Sequence, residues 1–333
     1  MLFNTVSFGF NIASIFFHLG FYFLHLSLMA KQQDFKAQLL PFFKIVTFTF
    51  VVFMSWSFTS FSLNRSLPLF FGISDPVDFL QNISHQSNAP AMLYVLALNS
   101  VGVFLLPALF YFFLFNIDPV RFLKLDSFPP LKYWVLGFFI LFVAGIFIEV
   151  LVQMQMKIPL PEKLAFLRHQ DTIVEDIIDA IFLKPTFFRF IVVSLTVAFL
   201  PALSEEIFFR GIIQNYLYKT NLGTIGAIVV TGLCFAIMHA EFDNTLAIWC
   251  MGIVLGFLYY YSGSLWVNIT AHFLNNLIII ILKYAYARGW VQFSMTGNDI
   301  LPLYLTLPAG AAMVTGLVVM RKWTVKNTDG IIN

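Results

Sequence analysis

Apolar runs long enough to cross a bilayer recur about nine times along this chain, and no other feature limits its fold so strongly. They centre near Phe17, Val52, Val103, Phe142, Val197, Val230, Val254, Ile279 and Ala311. Only 11% of the 333 residues are charged and 59% are hydrophobic, too few charges to cover the surface of a soluble domain of this size. The expected fold is all-α: a polytopic transmembrane helical bundle of about 8–9 spans, because hydrocarbon leaves every backbone polar group to be satisfied within its own helix. The first run, from Thr5 to Leu28, lacks a basic leading segment and is too long for a signal-peptide core. It reads as a retained transmembrane helix. A net charge of +2 gives no case for nucleic acid. Cys234 and Cys250 lie in apolar runs and read as small core residues.

Between the runs lie a basic joint from Lys31 to Lys44, a polar joint from Asn64 to Pro90, and a third joint from Asn116 to Lys132 with Arg121, Lys124 and Pro129-Pro130. If helices alternate, the Lys31 joint, the Arg121 joint and the C-terminal Arg321, Lys322 and Lys326 share a side, which the positive-inside rule makes cytoplasmic. In the loop from Lys157 to Arg189, Asp171, Glu175 and Asp179 recur at helical spacing opposite Ile173, Ile177 and Ile181, the pattern of a helix lying on the membrane surface. His18, His25, Asn99 and Glu149 are isolated polar groups in the early spans and read as interhelical hydrogen-bond partners. Gly252 and Gly256 form a small-xxx-small pair that allows close helix approach. There is no low-complexity linker and no internal repeat, so the chain reads as one membrane domain.

The stretch from Pro201 to Asn276 breaks the apolar pattern. PALSEEIFFRG, LCFAIMHAEF and NITAHFLNNL place Glu205, Glu206, Arg210, His239, His272 and Asn276 inside predicted spans. Several charges facing lipid would cost on the order of ten kcal/mol, so these groups must face one another or a wet cavity. Glu206 and Arg210 are four residues apart and can pair on one helix face, whereas Glu205 is rotated by about 100° from Glu206 and has no such partner. Phe235 and His239 share a face, as do His272 and Asn276. At about 1.5 Å per residue, Glu205 and His239 lie roughly 22 and 28 Å from the turn at Asn221–Gly223. His272 and Asn276 lie about 12 and 18 Å from the turn at Tyr261–Ser264, and with the bend expected at Pro201 these depths converge.

A carboxylate beside an imidazole can hold a water and take its proton, and a second imidazole with an amide can donate to a developing oxyanion. Together they describe hydrolysis of a carbonyl compound. Other intramembrane hydrolase signatures are missing. There is no H-E-x-x-H. Tyr260 precedes Tyr261-Ser262-Gly263 where a rhomboid-like serine site needs glycine, and Gly297-Asn298-Asp299 lacks the second glycine of the aspartyl type.

The ordered motifs E-E-x-x-x-R (Glu205, Glu206, Arg210), F-x-x-x-H (Phe235, His239) and H-x-x-x-N (His272, Asn276) resemble the CAAX protease and bacteriocin-processing (CPBP, or Abi) family over roughly Val192 to Lys283. The resemblance implies three parts: N-terminal spans over 1–186 of unassigned role, a catalytic helical core over 187–285, and a C-terminal span and tail over 286–333. It implies an intramembrane endopeptidase of the bacterial plasma membrane, acting on a membrane-associated protein or peptide. Glu205 would activate water with His239, His272 and Asn276 would stabilise the oxyanion, and Glu206 with Arg210 would support them. No cofactor is expected, and the metal-free route is the one implied by the eukaryotic-type relatives. A zinc alternative would use Glu205, His239 and His272 as ligands. Two further readings use the same residues: an ion-coupled transporter, against which the absence of a repeated half counts, and a non-catalytic immunity or scaffold protein, against which the intact motifs count.

Overall fold

The computed structural model describes residues 33–82, 88–158, 173–292 and 301–329, and within them every regular element is a helix. In order these are α1 (Gln33–Phe71), α2 (Pro76–Gln81), α3 (Ala89–Leu114), α4 (Pro119–Phe122), α5 (Leu131–Met156), α6 (Ile173–Phe182), α7 (Phe187–Leu217), α8 (Gly223–His239), α9 (Thr245–Ser262), α10 (Leu265–Ala287) and α11 (Leu303–Asp329). Seven helices are long and apolar enough to cross a membrane, and α8 is a shorter apolar helix of 17 residues. The chain is a multi-pass integral membrane protein; seven of the eight spans expected from Val52 onward are such helices, and the one expected near Val230 is the shorter α8. The span expected over Thr5–Leu28, with His18 and His25, and the expected role of Asp171 fall outside the described residues.

Helix reaches into both of the first two joints. The helix of α1 begins at Gln33, runs through the basic joint and continues to Phe71. The basic joint is rich in Gln, Lys, Ala and Leu, which are good helix formers. At the far end, Asn64 and Ser66 satisfy their side chains on the carbonyls of Ser60 and Ser62 one turn back, so polar residues extend the helix instead of ending it.

The fold divides into two compact units, Met1–Gln81 with Val101–Ile117, and Asn82–Ser100 with Asp118–Asn333. In the described part of the first, Ser55 Oγ donates to the Gly102 carbonyl at 2.6 Å, and Phe48 meets Tyr111 edge-on at 5.4 Å. In the second, Ile140, Leu141 and Ala144 of α5, Leu255 and Leu258 of α9, Val267 and Ala271 of α10, and Met313 and Met320 of α11 form the buried core. Lipid tails are as apolar as these side chains, so the helices are held by close van der Waals fit rather than by escape from water.

That fit is tightest where α8 crosses α9. A Cβ on Gly252 would stand 2.8 Å from Gly232 Cα, and one on Gly232 would stand 3.0 Å from the Ile253 amide nitrogen. The small-xxx-small pair thus brings two backbones into contact. Helix α6 departs from its expected setting. Its apolar face, Ile177, Ile178, Ile181 and Phe182, is buried against protein, including α10, instead of lying on lipid. Asp179 on its other face pairs with Lys283 Nζ of α10 at 2.8 Å.

These contacts set an expectation for glycine substitutions. Gly252→Ala meets the Gly232 backbone of α8 and should destabilise the protein in detergent by about 1–3 kcal/mol. Gly145→Ala, whose new Cβ would meet only Asn275 Oδ1 at an ordinary 3.6 Å, should leave the melting temperature within a degree or two. Thermal unfolding of the two purified variants beside the parent checks the contrast.

Candidate active site

The site begins in α7, a span that is not a plain α-helix. Pro201 lacks an amide hydrogen and cannot complete the ladder. The chain accommodates it with a π-helical turn over Ser194–Phe199, returns to α-helix over Leu200–Glu206, and widens again to π-helix over Ile207–Gln214. Wide turns of this kind often mark places where side chains must be re-aimed into a helix bundle. Here they aim Glu205, Glu206, Arg210 and Gln214 inward, all of them buried.

Glu206 is the centre of a closed network. Both it and Arg210 are 0% exposed, and Arg210 Nη1 donates to Glu206 Oε1 at 2.8 Å. The same oxygen accepts from His272 Nδ1 at 3.0 Å, and Oε2 accepts from Asn268 Nδ2 at 3.1 Å. Arg210 also donates through Nη2 to the Gly252 carbonyl at 3.0 Å and lies over the Phe235 ring at 4.7 Å. A charge buried in a bundle is tolerable only when its counter-charge and hydrogen bonds are all in place. Helix α9 completes the set with backbone: the Leu255 carbonyl takes Asn268 Nδ2 at 2.7 Å, and the Gly256 carbonyl takes Gln214 Nε2 at 3.0 Å. Gly252 and Gly256 therefore do more than pack, because without side chains they leave their carbonyls open to Arg210 and Gln214.

Glu205, one residue earlier, points into a different environment. Its Oε2 stands 4.0 Å from His239 Nε2 and 4.0 Å from His272 Nε2. His239 lies in the last turn of α8, which ends at Ala240 in the left-handed conformation (φ 55°). His239 Nδ1 is 2.8 Å from the Phe235 carbonyl, which can only accept, so Nδ1 carries the proton. His272 Nδ1 faces the Glu206 carboxylate and carries a proton for the same reason. Both rings thus turn Nε2 toward Glu205. Phe235, 3% exposed, floors the site, with its ring centroid 4.4 Å from that of His239 and 6.2 Å from that of His272. A separation of 4.0 Å is too long for a direct hydrogen bond, and it is the span one water bridges with two bonds of about 2.8 Å.

The structure thus brings Glu205, Glu206, Arg210, Phe235, His239 and His272 together. Asn276 lies one turn beyond His272 on α10, half-buried, and bonds to none of the other site residues. Asn275 is turned toward Gly145 of α5, a different direction. Sequence reasoning missed Asn268. It precedes His272 by four residues and was visible as a polar residue on the same face of an apolar helix. Among the described residues no three His, Cys, Asp or Glu side chains converge closely enough to hold a metal ion.

Fold and site together define a class: a polytopic helical membrane protein with a carboxylate and two imidazoles converging inside the bundle. Residues 187–278 match the family model for type II CAAX prenyl endopeptidase Rce1-like proteins, which supports the resemblance to the CAAX protease and bacteriocin-processing family. Among curated proteins it is similar to YdiL of Bacillus subtilis (strain 168), a proposed membrane peptidase, with 34% identity over 93 residues. That match covers 28% of this chain and 37% of YdiL, little more than a third of the relative's length. No solved structure matches the chain.

The two adjacent glutamates should fail differently when neutralised. Glu206→Gln leaves Arg210 buried without its counter-charge and should cost about 3–5 kcal/mol, lowering the folded yield in detergent. Glu205→Gln leaves that network intact and should purify like the parent. Size-exclusion profiles and melting temperatures of both variants check this, and equal behaviour would contradict the network.

Proposed function

We propose that this chain is an intramembrane endopeptidase that hydrolyses a peptide bond of a membrane-associated protein or peptide. The observation that carries the reading is Glu205 Oε2 facing the Nε2 atoms of both histidines at 4.0 Å, each ring pinned from behind through Nδ1. A water bonded to Glu205 and to His239 Nε2 keeps a lone pair free for attack. Glu205 takes its proton, the new C–O bond forms at the substrate carbonyl, and the carbonyl oxygen becomes an oxyanion. Asn276 and His272 are the groups that would stabilise that oxyanion. As the C–N bond breaks, Glu205 returns the proton to the leaving amine, giving a carboxylic acid and an amine.

Zinc is the alternative source of an activated water. Tetrahedral zinc with bonds of about 2.0–2.1 Å holds its ligand atoms roughly 3.3 Å apart, closer than Glu205 stands to either histidine. The donor set fits a bridging water better. Activity should accordingly survive exhaustive chelation, and metal analysis of the purified protein should find well under one equivalent of zinc. Activity lost on chelation and restored by zinc would overturn the metal-free route.

The substrate bears on the function most directly. Membrane-protein fragments compared between cells carrying the parent chain and cells carrying Glu205→Gln should differ in at least one cleaved species. A transporter would leave the fragment pattern unchanged. On a reconstituted enzyme with the peptide so identified, Asn276→Ala should lower kcat and kcat/KM together by ~10²–10³ with little change in KM. Asn275→Ala should do far less, and like behaviour of the two would remove Asn276 from the oxyanion site.

A further inference from the structure

Asn268 is a fully buried polar side chain next to the site whose presence neither charge balance nor packing explains. Glu206 already has Arg210 as its counter-charge, and an apolar residue would fill the same space in an apolar helix. The amide also leaves its own Oδ1 without a hydrogen-bond partner among the described residues, a real cost in this setting. Both of its N–H groups are committed, one to Glu206 Oε2 at 3.1 Å and one to the Leu255 carbonyl at 2.7 Å. Asn268 therefore ties the Glu206 carboxylate to the backbone of α9.

The division of labour at that carboxylate shows what the tie does. Oε1 serves two donors, Arg210 Nη1 and His272 Nδ1, while Oε2 serves Asn268. A guanidinium prefers to engage both oxygens of a carboxylate side by side. Released at Oε2, the carboxylate can turn about its Cγ–Cδ bond and give both oxygens to Arg210, and Oε1 then leaves His272. We infer that Asn268 is a positioning residue, which holds Glu206 in the one orientation that anchors His272 Nδ1 and so aims Nε2 at the reacting carbonyl. Its catalytic consequence rests on the endopeptidase reading, while its structural consequence does not. Asn268 and His272 are one turn apart on α10, so the anchor and the ring it serves move as one body.

The test uses the full chain in detergent with Asn268→Leu, which keeps the volume and removes both donors together with the unpaired oxygen. Its melting temperature should stay close to that of the parent, because Arg210 can take up the Oε2 that Asn268 releases. On the peptide identified by the fragment comparison, kcat should fall at least tenfold while KM stays within twofold. A second readout needs no substrate. The chain has six histidines; in protein carrying ¹⁵N-histidine, the Nδ1–H resonance of His272, assigned by its loss in His272→Gln, should be downfield in the parent. It should move or broaden in Asn268→Leu. An unchanged resonance, an unchanged kcat, or a loss of activity that only follows the loss of folded protein would each overturn the assignment. Should Asn268→Leu fail to fold, Asn268→Ser, polar but too short to reach Glu206, takes the same two readings. Failure of the endopeptidase reading is told apart by Glu205→Gln: cleavage that persists in that variant sinks the reading and leaves the resonance to decide the role of Asn268.

Discussion

The ion pair between Glu206 and Arg210 is the interaction on which the rest of this structure depends. Both side chains are fully buried in a bundle whose surroundings offer no water to solvate a lone charge. Their mutual attraction offsets desolvation because other groups take up most of the remaining lone pairs and hydrogens, although Arg210 Nε finds no hydrogen-bond partner among the described residues. Those groups come from three helices: Phe235 from α8, the Gly252 and Leu255 carbonyls from α9, and Asn268 and His272 from α10. The pair is internal to α7, and everything that makes it tolerable lies outside α7. The network is thereby a device for fixing the rotation of four helices relative to one another, since any helix turned by one residue would strand a charge.

Glycine is what lets this network close. The Gly252 and Gly256 carbonyls already serve their own helix, and each uses a second lone pair for a side chain of α7. A side chain at either position would occupy the contact with α8, where Gly232 and Ile228 lie within 3 Å of a built Cβ. Packing and polarity are often treated as separate influences in membrane bundles, one set by small residues and the other by hydrogen bonds. Here they coincide at two residues of one helix.

How much of this was legible in the sequence follows from what each interaction depends on. Spans were legible because a run of apolar residues has only one way to satisfy its backbone in hydrocarbon. The Glu206–Arg210 pair was legible because its partners are four residues apart on one helix. Asn276 and Asn275 were separable by the same spacing, and the structure does turn Asn275 away, toward α5. The bonds of Glu206 to Asn268 and His272 were not legible: they join residues 62 and 66 apart in the chain, and they depend on tilt and rotation set by the glycine contacts. Depth was only roughly legible for a related reason. Residue counting placed His239 in the interior of a span, whereas α8 ends at His239, with Ala240 in a left-handed turn that composition does not announce. Helix α6 shows a third limit. Its amphipathic pattern told that one face would be covered, and it could not tell protein from lipid as the cover.

The adjacency of Glu205 and Glu206 makes sense in these terms. Two carboxylates one residue apart differ by about 100° of azimuth, enough to place them in unlike surroundings while the same helix positions both. One is held by Arg210, His272 and Asn268 and has no freedom left to exchange a proton. The other faces two imidazole nitrogens across gaps of 4.0 Å, too wide for either ring to immobilise it by a direct hydrogen bond. Paired acids that must do different work are commonly set apart by environment, and the proposed hydrolysis needs that separation. A water-activating carboxylate must be able to gain and return a proton, and the rings that guide it must not move while it does. His272 links the two halves. Through Nδ1 it belongs to the locked network, and through Nε2 it faces the free acid. The rigidity of the buried ion pair is thus delivered, through one imidazole, to the place where the chemistry is proposed to occur.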